Sequence, residues 1–449
     1  MKKATGLLVL IFMVFAPSRP VKALENFDFK GELWARGALH LKQQRPYQDN
    51  SLDHETLLLQ GEGDLSEEIL FKAGTRLERL AFHGNGSTRE DTRLELWETY
   101  LDYRGGSYQI TLGNQIIRWG KTDEMTILDN LNPQDLRELM TLRLEERKHP
   151  WPWLRAQYFA SNLTLEGVFT IWPVWHMKED FGTDWAAFDH LKAQLEDIPA
   201  LKSWARSLKL DKQRPGPSLR DAEWGFRLTG TFSSVDWEAS FLHAHNRSFY
   251  YYITSFPIKG LWLNSISDIS SALSRAIIVG NTIRISRPED DILGLAFETT
   301  WGEAGLRGEF AYHTNQVFLR KDLYGVRKPC WQYVLGLDYQ FMNGLYANLQ
   351  FSQRYIQGWD KSILFEPRWD SGLFLRLSKT YLQDFLECRL DAYYDLTTRM
   401  YYLNPEVRYK IQDEYTLFMG LHLLDGPAGT FFDLYDANDQ IYVGLKAVF

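Results

Sequence analysis

The fold class this chain predicts is all-β: a transmembrane antiparallel β-barrel of about 16–18 strands, with long outer loops that leave room for short helices. Three observations predict it. Apolar residues recur with a period of two from end to end, as they do along strands with one apolar face. The connections alternate between tight and long. The composition is rich in aromatics, at 15% with 16 Trp and 23 Tyr, yet the mean hydropathy is slightly polar at −0.34. A helical membrane protein would be more apolar, whereas a barrel gives half of each strand to a polar interior.

The N-terminus reads as an export signal. Lys2 and Lys3 precede an apolar run from Leu7 to Ala16, and Val21-Lys22-Ala23 ends on a small residue. Residues 1–23 are therefore expected to be a signal peptide and residues 24–449 the barrel. No later stretch reaches the roughly 18 apolar residues that a spanning helix needs. Loss of residues 1–23 removes four basic residues and no acid, taking the net charge from −8 to −12. So acidic a chain is not a nucleic-acid binder.

Alternation marks the strands in order. Phe27, Phe29, Leu33, Leu39 and Leu41 share one face with Gly31, Ala35 and Gly37, while Asp28, Lys30, Glu32, Arg36 and His40 take the other. Trp224, Phe226, Leu228 and Phe232 oppose Glu223, Arg227 and Thr229, and Trp331 to Phe341 repeats the pattern. The strand windows are 27–41, 54–65, 69–80, 92–104, 107–115, 154–160, 163–171, 222–233, 235–247, 291–301, 303–313, 331–341, 344–355, 371–381, 384–396, 400–410, 413–424 and 440–449. Tight links follow the even-numbered windows, at Gly105-Gly106, Ser161-Asn162, Ser233-Ser234, Met342-Asn343 and Ile411-Gln412. Long loops follow odd-numbered ones, at about 116–153, 172–221 and 248–290. Barrels in outer membranes sort their connections in this way, whereas a soluble sandwich has no reason to.

The loops are not uniform coil. Trp185, Phe188, Leu191, Leu195, Ile198, Leu201, Trp204 and Leu208 fall at helical spacing, interrupted by Pro199. A weaker helical pattern runs from Ile266 to Ile278. The helical segment is either a cap on the rim or an inward fold that narrows the lumen, which so wide a barrel needs if it is selective. Lumen-facing rows mix signs: Asp28/Lys30/Glu32/Arg36, Lys72/Arg76/Glu78, Arg307/Glu309, Glu387/Arg389/Asp391 and Glu406/Arg408/Lys410. Such rows pair across strands and stiffen the wall. His243 and His245, two apart, are expected on the side of Trp237 and Phe241, at the lipid interface. Cys330 and Cys388 are expected to be free thiols. No catalytic, cofactor-binding or metal-ligating motif stands out.

The chain ends Ile441-Tyr442-Val443-Gly444-Leu445-Lys446-Ala447-Val448-Phe449, with alternate apolar residues up to the terminal Phe449. This ending resembles the assembly signal of bacterial outer-membrane β-barrels, which implies an outer-membrane location, contact with its lipid and recognition by the barrel-assembly machinery. A second stretch, Gly113-Asn114-Gln115-Ile116-Ile117-Arg118-Trp119-Gly120-Lys121-Thr122-Asp123 followed by Leu131-Asn132-Pro133-Gln134-Asp135-Leu136-Arg137, resembles the signature of an uncharacterised outer-membrane barrel family associated with RND-type exporters. It is more distantly similar to alginate-export porins, and Leu403-Asn404-Pro405-Glu406 fits the same family. The resemblance implies a channel for hydrophobic or extended molecules, for export or uptake, with an inner-membrane RND-type exporter as partner. Read physically, Trp119 and Gly120 make a sharp turn beneath a ring, and Lys121, Asp123, Asp135 and Arg137 supply charges that can pin the loop and form a constriction. Two other functions compete: a surface-interaction barrel with a blocked lumen, and an outer-membrane lipid hydrolase with a Ser and a His on neighbouring strands.

Overall fold

The computed structural model describes residues 25–42, 49–84, 87–186, 188–264, 269–273 and 276–449. The signal-peptide reading of residues 1–23 and part of the helical pattern at 266–278 lie outside them. Eighteen strands form the wall, each antiparallel to its neighbours: β1 Glu25–His40, β2 Asp49–Ser66, β3 Ile69–Gly84, β4 Ser87–Leu96 with Thr99–Gly105, β5 Tyr108–Gln115, β6 Trp151–Ala160, β7 Leu163–Thr170, β8 Glu223–Phe232 and β9 Val235–His245. The wall continues through β10 Glu289–Trp301, β11 Ala304–Leu319, β12 Gly325–Gln340, β13 Tyr346–Ile356, β14 Trp369–Tyr381, β15 Leu386–Asp395, β16 Tyr401–Gln412, β17 Tyr415–Asp425 and β18 Gln440–Val448. The two segments of β4 both pair with β3 and are broken at Trp97-Glu98.

The sheet closes where β1 meets β18, in register from Glu32↔Val448 to His40↔Gln440. Closure leaves no open strand edge, and an open edge in lipid would cost several kcal/mol for each unpaired backbone group. The last residue takes part: the Phe449 N–H donates to the Gly31 carbonyl at 2.9 Å, and the Gly31 N–H to the Phe449 carbonyl at 2.6 Å. The Phe449 ring lies over Gly31, where any Cβ would overlap it. Deleting Phe449 removes this clasp. We expect several-fold less folded barrel in the membrane, read from heat-modifiable mobility on SDS gels, with Phe449→Tyr close to wild type.

Outward positions carry the apolar rows. Leu39, Phe226, Leu335 and Val443 are half or more exposed, at 59%, 55%, 51% and 59%, and the intervening positions of their strands point inward. Each of the 18 sequence windows coincides with one wall strand. Several strands extend further than alternation shows, and the clearest case is β11–β12. Past a bulge between His313 and Gln316, Gln316–Leu319 pairs with Gly325–Lys328. There Val317 and Phe318 are both buried, because both faces meet protein and the period of two is lost. Ile411-Gln412, expected as a turn, lies inside β16, which turns at 413–414.

His245 departs from expectation. His243 keeps the outward side, its ring 5.6 Å from that of Trp224. His245 ends β9 and turns inward, buried, with Nδ1 3.1 Å from Glu223 Oε1. The strand stops there, so parity no longer sets its direction, and Glu223 supplies a polar partner.

The loops at 171–222 and 246–288 build a cap with its own core. Helices α1 (Asp189–Glu196) and α2 (Lys202–Arg206) flank the Pro199 break. Leu191, Leu195, Ala205 and Leu208 pack on Ile253, Phe256, Ile283 and Ile285. A three-stranded sheet of Lys209–Lys212, Tyr252–Ser255 and Thr282–Ser286 holds the two loops together. From the second helical pattern only Ile269–Ala272 is helical among the described residues. Cys330 and Cys388 are free thiols.

Candidate functional site

The segment between β5 and β6, residues 116–150, folds into the lumen, and its own polar groups first close it into a ring. The Asn132 carbonyl oxygen accepts the Ile117 N–H at 2.8 Å, and its amide donates to the carbonyls of Gln115 and His149, both at 2.9 Å. Lys148 Nζ donates to both Asp129 oxygens at 2.7 and 2.6 Å in a buried pair. These contacts join the entry and exit of the segment.

One side is then tied to β7, β9, β11 and β13. Trp119 is 1% exposed, and its Nε1–H donates to Glu166 of β7 at 2.6 Å. Gly120 has φ +91°, and a Cβ there would collide with the Glu309 carboxylate. Only glycine meets both conditions without strain. Its N–H donates to Glu238 of β9 at 3.1 Å. The backbone next wraps around Glu309 of β11, whose carboxylate accepts the N–H groups of Lys121, Thr122, Ile127 and Leu128 at 2.7, 2.8, 2.8 and 3.1 Å. Four amide dipoles thus solvate a carboxylate that is 3% exposed. The Met125 N–H donates to Gln350 of β13 at 3.0 Å.

The other side is tied to β1, β2 and β3 by a buried ionic cluster. Arg137 Nη2 lies 2.5 Å from Asp135 Oδ2 and 2.5 Å from Glu78 Oε2 of β3. Glu138 pairs with Arg36 of β1 and lies 3.0 Å from His54 Nδ1 of β2, whose Nε2 is 2.9 Å from Glu78. Burial alone would raise the Asp135 and Glu138 carboxyls. The guanidinium of Arg137 beside the first and that of Arg36 beside the second hold both below the usual carboxylate range. Both therefore stay charged at neutral pH.

Asp135 and Arg137 thus meet each other. Lys121 and Asp123 instead meet the wall: Lys121 Nζ is 3.8 Å from Glu298 of β10, and Asp123 pairs with Arg307 of β11. Trp119, Lys121 and Asp123 hold β7, β10 and β11, whereas Asp135 and Arg137 belong to the cluster against β1–β3, so the two halves of the motif grip opposite walls. Further residues that were not singled out by sequence help to attach the loop, among them Asn132, Glu138, Glu309 and Glu124. Glu309 carried a signal as a member of a lumen row, and Asn132 lay inside the motif. Glu138 and Glu124 carried none.

The tied loop divides the lumen into two cavities. Toward the long-loop end lies one of about 450 Å³, lined by Leu139, Phe249, Phe374, Tyr402 and Phe431 together with arginines. Toward the tight-turn end lies a polar one of about 460 Å³, lined by Arg118, Asp123, Lys148, Arg307 and Tyr346. Glu124 lines both. Glu124 Oε1 is 2.7 Å from Arg376 Nη2 of β14, and Arg376 Nε is 2.7 Å from Asp391 Oδ1 of β15. Burial lifts the Glu124 carboxyl above the usual range, and Arg376 offsets this only in part.

Among the described residues, two groups could be considered for metal binding. His54, Glu78 and Asp135 lie within 4.8 Å of one another, but Arg76 and Arg137 already occupy their oxygens. At the rim, Asp221, His245 and Glu289 also converge within 4.8 Å.

Comparison with solved structures finds the same kind of barrel. OccAB1 of Acinetobacter baumannii superposes with a TM-score of 0.51 at 10% identity, covering 95% of this chain and 97% of that one. OccAB3 of the same organism gives 0.48 at 11% identity, covering 94% and 99%. A loop-deleted OmpT, an outer membrane protein of Vibrio cholerae, gives 0.43 at 9%, covering 94% and 99%. The architecture is that of a porin-like outer-membrane barrel. No curated protein matches the chain. The model of the family described as "Protein of unknown function (DUF1302)" matches residues 40–365, and the chain belongs to that family.

Proposed function

We propose that the protein is an outer-membrane channel whose pore is set by the loop at 116–150, passing hydrophobic or extended molecules. The observation that carries this reading is the loop's position: it is fixed to opposite walls, with a cavity on either side and Glu124, held by Arg376, lining both. A scaffold has no need of two lumen cavities separated by a charged partition. The apolar part of the lining of the cavity toward the long-loop end suits a cargo with a hydrophobic body. The tight turns would face the periplasm, where an inner-membrane RND-type exporter could deliver cargo, and the cap would cover the outer mouth.

Planar-bilayer recording tests it. The purified barrel is expected to give small, discrete conductance steps, and complete electrical silence would overturn the reading. Selectivity should depend on pH through Glu124. Its carboxyl takes up a proton at a higher pH than a solvent-exposed glutamate does. As pH falls through that point the partition loses one negative charge while Arg376 keeps its positive one, so the reversal potential should shift toward anion selectivity. Glu124→Gln should show the anion-preferring value at every pH.

A further inference from the structure

Four arginines line the cavity toward the long-loop end: Arg143, Arg147, Arg354 and Arg389. Three are matched by wall or loop acids. Arg143 pairs with Glu406, Arg354 with Glu366 and Asp370, and Arg389 with Asp391 at 2.5 Å. Arg147 is different. No hydrogen bond or ion pair joins its guanidinium to any described residue, and its Nε is shut off from solvent without a partner. The acid with the strongest pull on it is Glu124, which Arg376 already engages. A guanidinium cannot shed its charge to escape such a place, and a half-buried cation whose Nε has no partner is costly. Around it the lining is largely apolar: Leu136, Leu139, Met140, Phe249, Tyr402 and Phe431. The site therefore offers one unclaimed cation at the edge of a hydrocarbon-like surface.

Resting on the channel reading above, we propose that this cavity binds amphipathic monoanions, with an aliphatic or aromatic body against the apolar lining and a carboxylate or similar oxyanion accepting from Arg147. The planar guanidinium can donate two parallel hydrogen bonds to such a head. Burial, which holds Arg147 below the usual arginine value, is the penalty that a bound anion would relieve.

Equilibrium dialysis of radiolabelled octanoate against the full barrel in lipid nanodiscs tests this. Octanoate should bind saturably, at about one per barrel, and 1-octanol and octylammonium should bind at least about tenfold more weakly. Arg147→Gln should weaken octanoate by about tenfold and leave octanol unchanged, while Arg147→Lys keeps most of the anion preference. Phe431→Ala, which trims only the apolar lining, should weaken octanoate and octanol alike. Equal binding of octylammonium, or octanoate binding untouched in Arg147→Gln, would overturn the proposal. Should Arg147→Gln not fold, loss of the anion preference in Arg147→Lys overturns it equally. Binding without any conductance would defeat the channel reading and leave this site standing; conductance without binding would do the reverse.

Discussion

Replacing Glu309 with Leu is expected to raise single-channel conductance several-fold and to make the steps noisy. The wall carboxylate accepts four loop N–H groups, from Lys121, Thr122, Ile127 and Leu128. Leucine fills a similar volume but accepts nothing. Each amide left buried without a partner costs roughly 1–3 kcal/mol, so the segment should leave the wall to reach water. Asp123 would then lose its fixed position beside Arg307, and the partition at Glu124 would lose its seat. Glu309→Gln should be intermediate, because its single carbonyl oxygen can still accept two of the four. The barrel itself should survive, since its strands are held by their own ladder, and unchanged heat-modifiable mobility would show this. Unchanged conductance in Glu309→Leu, with the barrel folded, would mean that the anchor does not control the pore.

The second large effect is expected at Arg137. Arg137→Met leaves the buried Asp135 and Glu78 carboxylates facing one another with one guanidinium fewer between them. Breaking a buried ion pair from one side typically costs about 3–5 kcal/mol, more than a loop held by local contacts can absorb. The segment near 135–147 should detach from β1–β3 and become open to protease added at the outer face. The same change weakens the grip of Glu138 on Arg36 and His54, since Glu138 adjoins Arg137 in the chain. Arg137→Lys should fall between, because a lysine keeps the charge but cannot reach Asp135 and Glu78 with the same forked geometry. Limited proteolysis of the membrane-embedded protein, followed by mass analysis of the fragments, checks both variants. Equal resistance in wild type and Arg137→Met would count against the cluster as a latch.

The strands were legible because lipid on one side and a polar lumen on the other impose a period of two that each strand repeats on its own. Phe27 through Leu41 and Ile441 through Val443 declare their outward face without reference to any partner. The fold is blurred where that condition lapses: at Val317 and Phe318, with protein on both sides, and at His245, where the strand has ended. The site was only partly legible. Trp119, Gly120 and the charges at 121, 123, 135 and 137 stand out as a dense local motif, but their wall partners Glu166, Glu238, Glu298, Arg307 and Glu78 lie elsewhere in the chain and are set by how it returns. Glu309 serves the loop rather than its neighbours in the wall row, and nothing near it in sequence says so. Arg147 looks like one more basic residue in Glu145-Glu146-Arg147-Lys148 until the cavity leaves its guanidinium without a hydrogen bond or ion pair among the described residues.

The account stands or falls on where residues 116–150 lie. Cysteines placed at Met125 and Gln350, in a chain whose Cys330 and Cys388 have been replaced by Ala and Ser, report on this directly in the folded barrel reconstituted in lipid. With the Met125 N–H 3.0 Å from the Gln350 side chain, a short thiol-specific cross-linker should join the two in high yield and shift the band on an SDS gel. If both cysteines react with a maleimide but never with each other, the loop does not cross the lumen.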